Sequence, residues 1–209
     1  MPVQPGTVLM KPPENSKELL SGGDQSLLKS GIRKLLWHMQ YSQPDISQAV
    51  HDLARHMMHG DKSHMDAMLW CMQFLQGTKD AGLLLKPERT WDGSSNFSFK
   101  INGQSDSDYA KDTQTRRSIL SYVVYLEGAP VMHQRATQKT VALSSCEAEL
   151  NAAVLCMQDI LYGKNLLESV GLKVQLPMIL EMDNKGAVNL INSSSVGGHT
   201  CNIEDKQCF

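Results

Sequence analysis

Apolar residues recur with two different periods along the chain, and the change falls near its middle. Ile46, Val50, Leu53 and Met57 repeat at helical spacing behind Pro44-Asp45, which suits a first helical turn. Gly60 stops that pattern and Asp61 can cap the next helix, whose apolar stripe is Met65, Met68, Leu69, Met72 and Leu75, closed by Gly77. An apolar cluster, Ile32, Leu35, Leu36 and Trp37, precedes both. Residues 27–90 therefore read as a helical hairpin with a short satellite segment. Residues 1–26 hold Pro2, Pro5, Pro12, Pro13, Gly6, Gly22 and Gly23 and read as an extended arm.

Turn formers crowd residues 86–96, and beyond them the period is that of strands. Phe97, Phe99 and Ile101 alternate with polar residues; residues 118–126 (SILSYVVYL) and 129–134 are strand-like and meet at Glu127-Gly128, a hairpin signal. The pattern then turns helical. Ser144 with Glu147 three residues on forms a capping box, and Leu150, Val154, Met157, Ile160, Leu161, Leu167 and Val170 follow. Residues 177–182 (PMILEM) suit a buried strand, and residues 184–192 a short helix. The order from residue 97 is β-β-β-α-β-α, an α/β arrangement.

Composition narrows the function classes. Lys+Arg is 20 and Asp+Glu is 22 in 209 residues, so no strongly basic nucleic-acid binder is described by the chain as a whole. There is no apolar run long enough for a membrane helix and no secretory leader pattern, which makes a cytoplasmic or nuclear compartment the expectation and a membrane partner an unexpected one. Five Cys at irregular spacing, without CxxC, argue against a disulfide framework or a structural zinc site.

The acids carry the candidate chemistry. Asp106 and Asp108 lie at the end of the first strand and, two apart, share a face. Glu147 and Glu149 lie at the start of the long helix, about 200° apart around it, so one can cap while the other turns to the sheet. Asp183 ends the PMILEMD strand where the next helix begins. Sites in open α/β sheets form at the carboxyl ends of strands, so one acid from each of these places can converge. Converging carboxylates repel unless a divalent cation sits between them, and all-oxygen ligands favour Mg2+ or Mn2+ over zinc. Carboxylates that share a cation should approach within about 4–6 Å. Each acid alone also has a local explanation as a turn or cap residue.

Longer stretches carry a resemblance. SDSDYAKD (105–112), TRRSILSYVVYLEGAPV (115–131), QKTVALSSCEAELNAAV (138–154), GLKVQLPMILEMDNKGAVNL (171–190) and SVGGHT (195–200) resemble the ribonuclease H domain of copia-type LTR-retrotransposon polyproteins. SGIRKLL (30–36), QPDISQAVHDLARHM (43–57) and FLQGTKDAGLLL (74–85) resemble the preceding end of the reverse transcriptase. The resemblance implies a ribonuclease H-like domain over residues 97–209, with a mixed sheet whose C-terminal elements are missing, preceded by a small helical segment. It implies that Asp106, Glu149 and Asp183 are metal ligands in a two-ion site for Mg2+ or Mn2+, with Glu204 as the fourth catalytic acid. The implied reaction is hydrolysis of the RNA strand of an RNA–DNA hybrid, the implied partners are that hybrid and the remainder of a polyprotein, and Asn184, Arg117 and Lys139 become candidate nucleic-acid contacts.

Two departures weaken the implied activity. The family has an Asp where this chain has Glu204, and Asn202 replaces a His two residues earlier. No YxDD-like motif occurs, so DNA synthesis is not expected. A non-catalytic nucleic-acid-binding or interaction remnant is the alternative. His51, His56 and His59, fanned across a helix among Met residues, offer a soft-metal module as a third reading, against the plainer one of surface and boundary histidines.

Overall fold

A computed structural model describes residues 1–4, 9, 19–94, 96–112 and 115–192. The chain divides into two units, Met1–Leu83 and Leu84–Phe209.

Among the described residues the first unit contains three helices, α1 (Gly22–Tyr41), α2 (Ser47–Arg55) and α3 (Lys62–Gly77), with a 3-10 turn at Pro44–Ile46. Helix α1 begins inside the stretch expected to be an arm. Ser21 accepts the Asp24 N–H on its hydroxyl, and this cap starts the helix despite the Gly22-Gly23 pair. Leu28, Ile32 and Leu35 then fall on one stripe and are fully buried with Ile46, Val50, Leu53, Met68 and Cys71. A Cβ at Gly31 would collide with Met68 Sδ, so that glycine permits the close approach of α1 to α3. Trp37 is exposed, against the expected apolar cluster, and packs edge-on to the His38 ring.

Asp61 caps α3 by accepting the His64 N–H, and His64 returns the bond to the Asp61 N–H, completing a box with His in the usual Glu position.

In the second unit a four-stranded sheet runs in the order β4-β3-β2-β6, with β2 at Ile101–Asp108, β3 at Ile119–Leu126, β4 at Ala129–Thr137 and β6 at Ile179–Met182. β2 is antiparallel to β3 and parallel to β6. β1 (Ser98–Phe99) and β5 (Lys173–Val174) form a separate short parallel pair. Helices α4 (Ser145–Ser169) and α5 (Lys185–Asn192) complete a mixed sheet flanked by helices, the ribonuclease H-like α/β arrangement.

The alternation of β2 buries Ile101 and Ser105 and leaves Gln104 and Asp106 exposed. Ala152, Cys156 and Ile160, four apart on α4, pack with Ile101, Leu120, Tyr122 and Val124. Gly103 lies between: a Cβ there would be 2.6 Å from Cys156 Sγ and 2.8 Å from Ile160 Cδ1, so α4 rests directly on the β2 backbone. β3 and β4 are joined by Glu127-Gly128, both at positive φ (52° and 80°), as a two-residue turn matched to strand twist requires.

Glu127 does more than turn the chain. Its buried carboxylate receives Arg89 Nε at 2.8 Å and the Lys100 N–H at 2.6 Å, while its own backbone bonds Lys100 O and the Glu88 N–H. Residues 88–89 are thereby fastened to the hairpin. Burial pulls the Glu127 carboxyl up, and the Arg89 bond together with the Lys100 N–H holds it below its ordinary range on balance.

Candidate metal centre

The parallel ladder between β2 and β6 pairs Asn102 with Ile179 and ends at Ser105–Met182. The next residue along the chain from each is an acid, Asp106 within β2 and Asp183 just past β6. Parallel register alone therefore sets these two side by side at the carboxyl end of the β2–β6 ladder. Glu149 comes from the first turns of α4. Ser144 caps that helix by accepting the Glu147 N–H at 3.1 Å, and Glu147 reaches back to the Leu143 N–H at 2.7 Å, one residue before the cap. With Glu147 so occupied, Glu149 turns to the sheet and is buried.

One ligand oxygen from each of Asp106, Glu149 and Asp183 lies within 4.8 Å of the others, inside the range expected of carboxylates sharing a cation. Among the described residues no other group of three His, Cys, Asp or Glu meets that criterion, so His51, His56 and His59 do not form one. Ser107 donates its backbone N–H to Glu149 Oε1 at 3.2 Å. Glu149 Oε2 is buried without a hydrogen-bond partner. An unpartnered buried carboxylate oxygen is costly, and a cation is what this all-carboxylate donor set fits. Burial first, and then the charges of Asp106, Asp183 and Asp108, push the Glu149 carboxyl up to about 7, against the pull of the Ser107 N–H. Burial and Glu149 likewise raise the neighbouring Cys146 thiol.

The other candidate residues are placed as follows along the chain. Asp108 shares β2 with Asp106 but accepts from Arg135 Nη2 at 3.2 Å. Asn184 Oδ1 accepts the Ala187 N–H at 3.0 Å and so caps α5. Arg117 and Lys139 are exposed, before β3 and after β4. Glu204, with Asn202 and the stretch 195–200, lies outside the described residues.

Gln138 and Ser107 are additions that periodicity did not single out. Gln138 is buried just past β4 and bonds both Ser107 Oγ and the Ala148 carbonyl, next to Glu149. Neither apolar spacing nor charge marks such a residue.

The chain is similar to retrovirus-related Pol polyproteins of plant transposons. It is 31% identical to that of transposon RE2 of Arabidopsis thaliana over 160 residues, 77% of this chain and 10% of that protein. It is 30% identical to that of transposon TNT 1-94 of Nicotiana tabacum over 175 residues, 84% of this chain and 12% of that protein. It thus spans about a tenth of the length of these curated relatives. It is also 32% identical over 130 residues to secreted RxLR effector protein 161 of Plasmopara viticola, covering 62% of this chain and 86% of that protein. No family model and no solved structure matches. No helix among the described residues is long and apolar enough to cross a membrane.

Proposed function

From a chain that belongs to the family of copia-type LTR-retrotransposon Pol polyproteins, we propose a ribonuclease H-like nuclease that hydrolyses the RNA strand of an RNA–DNA hybrid. The observation that carries this reading is the convergence of Asp106, Glu149 and Asp183 within 4.8 Å, with one buried carboxylate oxygen left without a partner.

Bound among these acids, Mg2+ or Mn2+ would supply an activated water and charge stabilisation at the leaving oxygen, with two ions as in other phosphodiester hydrolases. Asp106 and Asp183 hold the flanks, each fixed by the strand it ends or nearly ends. Glu149 keeps Oε1 on the Ser107 N–H and offers Oε2 inward. At neutral pH Glu149 is partly protonated in the absence of a cation, so binding displaces a proton from it. Asn184 presents its side-chain amide beside Asp183, and Arg117 and Lys139 contribute phosphate contacts from the loops around β3 and β4. Glu204 supplies the fourth carboxylate, and the rest of a Pol polyprotein is the natural covalent or associated partner.

The test is incubation with a labelled RNA–DNA hybrid in Mg2+ or Mn2+, beside Asp106→Asn. The expected outcome is cleavage of the RNA strand that needs the cation and disappears in D106N. Equal activity in the two proteins, or cleavage that persists in chelator, overturns the reading. Salt-dependent hybrid binding without turnover in any cation would replace it with that of a non-catalytic remnant.

A further inference from the structure

We infer that Gln138 is the positioning residue of the acid cluster: it sets the spacing between β2 and the first turns of α4 and so presents Glu149 to a cation. The inference rests on the metal-centre reading above and extends it to a residue that touches no ligand.

A single buried amide does the spacing. Gln138 Nε2 donates to Ala148 O at 2.8 Å and to Ser107 Oγ at 3.3 Å, so one NH2 group bridges helix and strand. Its Oε1 accepts Asn151 Nδ2 at 3.3 Å, three residues further along α4. With the oxygen claimed by Asn151 and both amide hydrogens claimed by Ala148 and Ser107, the amide can face only one way. Its own backbone N–H bonds Ser118 O at 2.9 Å, anchoring it where β3 begins. Three side-chain bonds, to α4 and β2, and one backbone bond to Ser118 hold Gln138 in place.

The two residues it bridges are the two that govern Glu149. Ala148 precedes Glu149 in the chain, and Ser107 donates the N–H that occupies Glu149 Oε1. A carboxylate turns freely about its last torsion, so the direction of Oε2 depends on what holds Oε1. Gln138 fixes Ser107 against Ala148, Ser107 fixes Oε1, and Oε2 remains the unpartnered oxygen. The amide adds little to α4 as a helix, because the Ala148 carbonyl is also met within the helix ladder. Its loss therefore releases the lateral position of the first turns more than it unfolds them.

The experiment uses the full chain with Mn2+ as the probe, titrated and followed by electron paramagnetic resonance. Gln138→Met keeps the volume and removes the amide; Ser107→Ala removes the acceptor from the other side and keeps the N–H. Outer-shell partners of metal ligands are typically worth about 10–100-fold in affinity. The expected result is a fall of that size in Q138M, a comparable fall in S107A, and no further fall in the double variant, with each cation-free protein keeping a cooperative melt. Should Q138M fail to fold, S107A carries the same comparison. Mn2+ affinity unchanged in folded Q138M or S107A, or losses that simply add in the double variant, would overturn the positioning role while leaving the metal centre standing. A wild-type chain that binds no Mn2+ overturns the metal centre and this inference together.

Discussion

The backbone N–H of Ser107 donates to Oε1 of Glu149 across 3.2 Å, from the strand that carries Asp106 to the helix that faces it. That bond stabilises the ionised carboxylate, yet burial and three neighbouring acids outweigh it and raise the group to about 7.

The stability of the cation-free protein should therefore fall with rising pH in a defined window. Glu149 has its ordinary pKa of 4.5 in the unfolded chain and about 7 in the folded one, so the folded state holds the proton more tightly between those values. The contribution is fully present below pH 4.5 and is lost as pH rises to about 7, on the order of 3 kcal/mol in all. Glu149→Gln removes this slope and should melt higher than the wild type at pH 8 in chelator. A parallel pH profile for the two proteins would contradict it.

Cation binding should reverse that loss. A cation at a hundred times its Kd adds about 2.7 kcal/mol to folding stability. Melting scans in Mn2+ should rise for the wild type and stay flat for Asp183→Asn, whose cation-free form is itself stabilised because one repelling charge is gone.

Gly103→Ala tests the seat of α4 on the sheet. A Cβ placed 2.6 Å from Cys156 Sγ must displace the helix or the cysteine, an overpacking cost of about 1–3 kcal/mol. Adding Cys156→Ala should recover part of it, read as a non-additive pair in denaturant unfolding. Full additivity would place the strain elsewhere, against Ile160.

Arg89→Ala tests the fastening of residues 88–89 to the hairpin. The folded-state carboxyl of Glu127 lies below its ordinary value, so the stability it brings is present above the usual carboxylate range and is lost as pH falls through it. The melting temperatures of wild type and R89A should stand apart at pH 7 and converge as the pH drops below about 4.5. A gap that does not change with pH would assign Arg89 to its packing over the Phe97 ring instead.

The parts of this architecture that were legible in the sequence are those governed by local rules. Ser144 caps α4, Asp61 caps α3, and Glu127-Gly128 turns the hairpin, because each needs only its neighbours along the chain. The convergence of Asp106, Glu149 and Asp183 was legible for a related reason: strand ends and a helix start are places that topology brings together. What was not legible depends on distant polar partners. Nothing in the spacing of Gln138 announces Ser107, 31 residues away, and nothing at Glu127 announces Arg89, 38 residues away. Helix α1 escaped for the opposite reason, since Gly22 and Gly23 advertise a break that the Ser21 cap overrides. Glu147 fooled the simple box rule by one residue, returning its bond to Leu143 rather than Ser144.

Strand β6 is held to the sheet by only four pairs, and it leaves that ladder straight into a negatively charged exit. Of the four strands in the main sheet it is the one with least to lose by peeling away. Its amides should be the first to trade hydrogen for deuterium, and the rate at which they do so becomes a gauge of how well charge is balanced a few ångströms downstream.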